Sequence, residues 1–213
     1  MPSSTTFKYE TKRKNLYLRV ARGHFATANC HSNYYIDVVA QKSRLNEAQA
    51  VDEELRSYFY QNTIVDTILC LDGTEVIGAC LADQLSQADF INLNAHKSMY
   101  VVTPEMATGG QIIFRDNIVP MIQGKNVLIL AVSVSSGKTV SAAVDAVKYY
   151  GGQVSGIGAI FSTSDEIAGI PVHSAFDPND LPDYHNYPSN NCPMCKAGVK
   201  LDALINCHGF SKL

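Results

Sequence analysis

The hydrophobic pattern changes period along the chain. Over residues 46–60 the apolar positions Ala50, Val51, Leu55, Tyr58 and Phe59 fall at helix-like spacing, which predicts an amphipathic helix. Beyond it, short continuous apolar runs alternate with helical patterns. Residues 64–71 predict a buried strand, 75–85 a helix, and 98–103 and 126–134 two more strands. Residues 138–150 predict a helix stopped by Gly151-Gly152, and 153–161 the next strand. Strands of this kind, separated by helices, are the pattern of a parallel sheet covered by helices. We therefore expect a doubly wound α/β core over residues 62–165. An N-terminal segment, 1–61, with a polar-aromatic stretch at 23–37, precedes it, and a Pro-, Asp- and Asn-rich, Cys-bearing tail, 166–213, follows. The chain contains no internal repeat and no low-complexity tract.

Composition supports a packed core and excludes several functions. The 213 residues are 46% hydrophobic and 17% charged, outside the disordered range. A net charge of −3 and a pI near 6.0 give no basic footprint for nucleic acid and no polybasic surface for membrane. Apolar runs such as 127–134 are far shorter than the roughly 20 residues of a membrane span. The first residues are polar, hold Lys8, Lys12, Arg13 and Lys14, and lack the apolar stretch of a secretory signal. The six cysteines, Cys30, Cys70, Cys80, Cys192, Cys195 and Cys207, are too few and scattered for a disulfide framework. These features point to a reduced cytoplasmic protein.

In open parallel sheets, ligands gather at the carboxyl ends of strands. The stretch 126–139 runs from a buried strand through Ser133, Ser135, Ser136 and Gly137 into a helix starting near Lys138. Unpaired amides at such a helix start, with the Ser135, Ser136 and Thr139 hydroxyls, make an anion cradle. The same pattern also suits an ordinary capped strand–turn–helix junction. Gly137-Lys138-Thr139 is only half a P-loop, because Val132 occupies the place of its first glycine. A second strand end carries Asp72-Gly73-Thr74-Glu75, a tight turn into a helix whose amides suit another anionic group.

Together these pieces resemble the type I phosphoribosyltransferases, and most of all the orotate enzymes. The segment Gly23 to Asp37 resembles the N-terminal orotate-enzyme segment. Leu71 to Gly78 resembles the loop that receives pyrophosphate, and Val127 to Thr139 sits where the family has its phosphoribosyl-diphosphate (PRPP) signature. The run Asn191-Cys-Pro-Met-Cys-Lys-Ala-Gly198 resembles the ending of some orotate-type homologues. The resemblance spans nearly the whole chain in family order. It implies transfer of phosphoribose from PRPP to a pyrimidine-like base, with Mg²⁺ on the diphosphate and sites built across a homodimer. It assigns Ser133, Ser135, Ser136, Gly137, Lys138 and Thr139 to the 5′-phosphate, and Asp72, Gly73, Thr74 and Glu75 to the diphosphate. It makes the N-terminal segment a hood, with Phe25, His31, Tyr34 and Tyr35 shaping the base pocket.

Three departures accompany the resemblance. The family signature ends its strand on two acidic residues, where this chain has Ala131 and Val132. Loss of one electrostatic partner of this kind typically costs ~3 kcal/mol in the transition state. The mobile basic loop of the orotate enzymes corresponds to residues 100–111, which hold no basic residue, although Gly109-Gly110 suit a hinge. Lys97, Arg115 and Lys125 lie nearby in sequence. In the hood, Asn29-Cys30 replaces the family's Ser-Gly. A second function class therefore stands beside the transferase: a non-catalytic nucleotide or sugar-phosphate sensor. A third, a metal-stabilised interaction protein, rests on the tail. Cys192 and Cys195 have the C-x2-C spacing of a structural Zn²⁺ knuckle, with Cys207 the nearest further ligand, or Cys30 or His31 from the N-terminal segment. Free thiols remain the alternative there.

Overall fold

The computed structural model describes residues 7–10, 16–87, 92–95 and 98–213. Lys12, Arg13, Lys14 and Lys97 lie outside the described residues. In chain order the elements are β1 (Phe7–Glu10), β2 (Tyr17–Ala26), β3 (Cys30–Asp37), α1 (Val39–Ser43), α2 (Leu45–Phe59), β4 (Thr67–Cys70) and α3 (Glu75–Ser86). There follow β5 (Tyr100–Val102), β6 (Glu105–Met106), β7 (Ile112–Ile113), β8 (Asn126–Val134), α4 (Lys138–Tyr149) and β9 (Gln153–Ser162). The chain continues with β10 (Glu166–Ile167), β11 (Ile170–Phe176), β12 (Asn186–Pro188), α5 (Pro193–Lys196), β13 (Ala203–Asn206) and β14 (Gly209–Lys212). Among the described residues, no helix is long and apolar enough to cross a membrane.

The chain divides into two compact units, one of Met1–Ala40 with Phe176–Leu213 and one of Gln41–Ala175. This division differs from boundaries at residues 61 and 165. The helix α2 groups with the sheet rather than with the N-terminal segment, because its buried stripe of Ala48, Val51, Leu55 and Phe59 needs an apolar partner.

The larger unit is an α/β sheet in the order β10-β11-β9-β8-β4-β5, with β5, β4, β8 and β9 mutually parallel. Successive residues of a strand point to opposite faces, so each strand feeds two cores. One face carries Leu69, Ile129, Ala131, Ile157 and Ala159, which pack with Val140, Ala143, Val144 and Val147 of α4. On the other face α2 packs on β9. A Cβ at Gly156 would come within 2.9 Å of the Phe59 ring, so the missing side chain is what lets this helix approach. The helix α3 covers β4 and β5, with Gly78 against Cys70 and Ile68. Asp66 ties the starts of β4 and β8, accepting from the Asn126 backbone N–H at 2.9 Å and its side-chain amide at 2.7 Å. Helices on both faces of a mostly parallel sheet make this a doubly wound α/β unit.

The smaller unit is a sheet in the order β12-β3-β2-β13-β14, with β1 also pairing β2. Its members come from both ends of the chain. The β2–β3 pair is antiparallel, β12 runs antiparallel to β3, and β13 runs parallel to β2. Ala21, Phe25, Tyr35 and Ala203 form its small apolar core.

Candidate functional site

The exit from β8 is built as a small-residue loop. Val134 is buried and anchors the strand end, and Ser133 and Ser136 are exposed. Gly137 has φ of +70°, a left-handed conformation that costs an L side chain roughly 1–2 kcal/mol. A Cβ there would also overlap the Ile167 side chain. The first bond within α4 runs from the Ser141 N–H to the Gly137 carbonyl at 2.8 Å, so the amides of Lys138, Thr139 and Val140 precede the ladder. Thr163 donates from its backbone N–H to the Val134 carbonyl at 2.9 Å and from its hydroxyl to the Ser135 carbonyl at 3.1 Å. The Val134 and Ser135 carbonyls are thereby engaged.

The exit from β4 lies beside it. Asp72 and Gly73 are both left-handed, with φ of 57° and 83°, which turns successive amides the same way. Thr74 is fully buried, and its hydroxyl donates to the carbonyls of Leu71 at 2.9 Å and Leu130 at 3.1 Å. Its side chain therefore fastens the loop to β8 and does not reach the surface. Sequence reasoning missed Lys42, whose ammonium donates to the Asp72 carbonyl at 2.8 Å. Thirty positions separate the two residues, and nothing local in the sequence links them.

A cavity of about 160 Å³ joins the two exits, with Asp72, Gly73, Glu75, Thr103, Met106 and Thr139 in its wall. Thr139 at the start of α4 and the Asp72-Gly73 turn thus share one depression, whereas Ser133, Ser135, Ser136, Gly137 and Lys138 are not in its wall. Cys70 also lines it, but burial pushes its thiol up to about 12, which makes it a poor nucleophile. Ala131 and Val132 are 0% and 2% exposed. The carboxylates in the cavity wall are those of Asp72 and Glu75, from the β4 exit. Arg115 pairs with Glu105 through two hydrogen bonds of 2.6 Å, which hold the exposed Glu105 carboxyl below its usual range. Gly109 and Gly110 form the left-handed tip of the β6–β7 hairpin.

A larger cavity, about 440 Å³, lies at α2 and β9, away from both exits. Its His173 stacks on Tyr58 at 4.5 Å, and burial lowers the pKa of the ring. Apart from His173, its lining residues carry no acidic or basic side chain.

The residues expected at the base pocket lie in the smaller unit, where Phe25, Tyr34 and Tyr35 are buried. Tyr34 is 1% exposed; its hydroxyl donates to the Pro182 carbonyl at 2.6 Å and accepts from Arg22 at 2.8 Å. Tyr35 packs between Phe25 and Phe210 in the core of the smaller unit. His31 lies with His24, Cys192 and Cys195, whose ligand atoms all fall within 4.8 Å of one another. Cys207 sits in the β13–β14 turn and is not part of that group, so two imidazoles complete the set instead. The Cys192-Cys195 pair was legible from spacing, and His31 stood among its possible partners. His24 gave no local signal.

No protein-family model matches the chain. In sequence it is 25% identical over 178 residues to the orotate phosphoribosyltransferase of Desulforamulus reducens, covering 83% of this chain and 85% of that protein. In structure it aligns with Mycobacterium tuberculosis orotate phosphoribosyltransferase, with a TM-score of 0.53 at 16% identity over 76% of this chain and 91% of the other. It also aligns with adenine phosphoribosyltransferase of Thermoanaerobacter pseudethanolicus, with a TM-score of 0.51 at 16% identity over 68% of this chain and 88% of the other. The fold is that of the type I phosphoribosyltransferases. Within that class, the likeness in sequence is to an orotate phosphoribosyltransferase.

Proposed function

We propose that the chain is a phosphoribosyltransferase that uses PRPP and a pyrimidine-like base, acting as a homodimer in the cytoplasm. The observation that carries this reading is the shared cavity, into which the start of α4 and the Asp72-Gly73 turn both open. The 5′-phosphate sits on the amides of Lys138 to Val140, with Ser135, Ser136 and Thr139 hydroxyls as further donors and Lys138 adding charge. The diphosphate sits on the amides of the Asp72-Gly73 turn, beside the Lys42 ammonium. Asp72 and Glu75 offer oxygen ligands that suit Mg²⁺, which when bound neutralises diphosphate charge. The base nitrogen attacks C1 of the ribose as the bond from C1 to the diphosphate oxygen breaks, and pyrophosphate leaves with that electron pair. Positive charge grows at C1, as in glycoside cleavage. With Ala131 and Val132 buried, Asp72 and Glu75 are the carboxylates in the cavity wall and take the role of favouring it.

That same pair of buried apolar residues favours a second reading, a sugar-phosphate or nucleotide sensor that kept the anion cradle without turnover. One experiment separates the two. Purified protein is mixed with PRPP, Mg²⁺ and a panel of pyrimidine and purine bases, and pyrophosphate release is followed alongside calorimetric PRPP binding. Release that depends on one base supports the transferase and names its substrate. Binding without release supports the sensor, and absence of both binding and release sinks both readings.

A further inference from the structure

We propose that His24, His31, Cys192 and Cys195 bind one Zn²⁺ in a tetrahedral structural site, which fastens the C-terminal segment to the β2–β3 pair.

Geometry is the first ground. Zinc holds imidazole nitrogen at about 2.0–2.1 Å and thiolate sulfur at about 2.3 Å. In a tetrahedron those lengths put nitrogen and nitrogen ~3.3 Å apart and nitrogen and sulfur ~3.5 Å apart. His24 Nε2 and His31 Nδ1 are 3.1 Å apart. His24 Nε2 lies 3.5 Å from Cys192 Sγ and 3.7 Å from Cys195 Sγ, and His31 Nδ1 lies 3.2 Å from Cys195 Sγ. These four distances match the edges of a zinc tetrahedron, and all four ligand atoms lie within 4.8 Å of one another.

Hydrogen bonding alone accounts poorly for this convergence. The Nδ1 of His24 faces the Val199 carbonyl at 2.9 Å, and a carbonyl only accepts, so Nδ1 carries the proton. With its proton on Nδ1 the ring offers one lone pair at Nε2, yet three further lone-pair-bearing atoms crowd it. One lone pair accepts one good hydrogen bond, whereas a cation satisfies all four at once. The Nδ1–H contact to a backbone carbonyl is also the outer partner that orients a metal-bound imidazole. Two thiolates and two neutral imidazoles around Zn²⁺ sum to zero charge, which suits a cluster whose His24 and Cys192 are each 1% exposed. The donor set, two soft sulfurs and two imidazoles, selects zinc over the oxygen-seeking Mg²⁺ and Ca²⁺.

The local structure is shaped to deliver these ligands. Between Arg22 and Phe25 the β2–β3 register shifts, and such a bulge re-aims a strand side chain, here His24. Asp202 holds the bulge by accepting from the His24 N–H at 2.8 Å. On the other side, Cys192 precedes α5 and Cys195 follows within its single turn. That turn is closed by Lys196 N–H to the Cys192 carbonyl at 3.1 Å and Ala197 N–H to the Pro193 carbonyl at 2.9 Å. Gly198, at φ of +72°, then reverses the chain toward Val199 and its contact with His24.

The test is elemental analysis of the intact purified protein, together with thermal melts with and without a chelator. We expect one zinc per chain and a lower melting midpoint on chelation. Cys195→Ser, at an exposed ligand, should lose the zinc, and Cys207→Ser should keep it. Because a ligand variant can simply misfold, Co²⁺ is also titrated into chelator-stripped wild-type protein. It should give the intense visible bands of tetrahedral cobalt with sulfur-to-metal charge transfer. Zinc retained by the Cys195→Ser variant, octahedral-type cobalt spectra, or a Cys192–Cys195 disulfide in the purified protein would each overturn the proposal.

Discussion

Asp52 gives the sharpest quantitative test of the packing. It lies on α2 and is 2% exposed, and its Oδ1 has no hydrogen-bond partner among the described residues. Burial raises its pKa from an ordinary 3.8 to about 7, with Arg56 opposing the shift and Glu53 and Asp83 reinforcing it. The folded chain thus binds this proton more tightly than the unfolded one. Stability must therefore fall as pH rises from about 4, at about 1.4 kcal/mol per pH unit, and level off above about 7. The full penalty for ionised Asp52 is about 4 kcal/mol. Asp52→Asn keeps the shape and cannot ionise, although its buried amide costs ~1–3 kcal/mol if unpaired. That cost is the same at every pH, and the titration of the other carboxylates is common to both proteins. The readout is the difference in urea-unfolding free energy between variant and wild type, measured at several values between pH 4 and pH 8. It should move in favour of the variant by about 4 kcal/mol across that range. Curves that stay parallel to within ~0.5 kcal/mol, the departure from additivity that independent effects show, would refute the reasoning.

Gly137→Val should weaken PRPP binding at least tenfold while circular dichroism stays native, because the side chain is both left-handed and in the place of Ile167; unchanged calorimetric affinity would contradict the cradle. Lys42→Met should weaken PRPP binding roughly tenfold, the loss of one charge-assisted contact, with a shallower salt dependence as the second readout. Val132→Asp should lower stability by several kcal/mol in urea unfolding and should not raise pyrophosphate release, since the carboxylate enters a site 2% exposed.

The parts of this molecule written into local sequence were legible. The run 126–134 matches β8 at both ends because a strand buried on both faces is apolar throughout, and it stops where small residues begin. The helix α4 starts at Lys138 and ends where Gly151-Gly152 follow, as its punctuation required. Where the reading overshot, solvent decided. Residues 64–66 precede β4, and Ile64 is 44% exposed, so its hydrophobicity was no sign of a strand. The smaller unit was hard to see for a different reason. Its sheet joins β13 to β2 and β12 to β3 across most of the chain, and such pairings leave no periodic trace near either partner. The same holds for His24, which a register shift brings to the cysteines, and for Lys42 beside Asp72. By contrast, C-x2-C and Asp-Gly announce themselves because their geometry closes within a few residues.

The position of the missing acidic pair follows from how β8 is packed. This strand lies between β4 and β9. Ala131 faces the core under α4, and Val132 points to the opposite face. Taking an ionised carboxylate into either place costs several kcal/mol unless a partner meets it. Small and branched apolar residues there stabilise the sheet instead. The negative charge of the cavity consequently comes from Asp72 and Glu75 at the β4 exit, next to the Lys42 ammonium. An exit loop with acids, a cation and left-handed amides suits a diphosphate with its metal ion, and its two carboxylates are also the ones in the cavity wall left to favour the charge at ribose C1. Under the proposed function, phosphosugar affinity rests on two loops whose backbone geometry is intact, and turnover rests on two carboxylates displaced by one strand. Substitution at Asp72 or Glu75 therefore acts on turnover and on the diphosphate end together, while the α4 cradle continues to hold the 5′-phosphate.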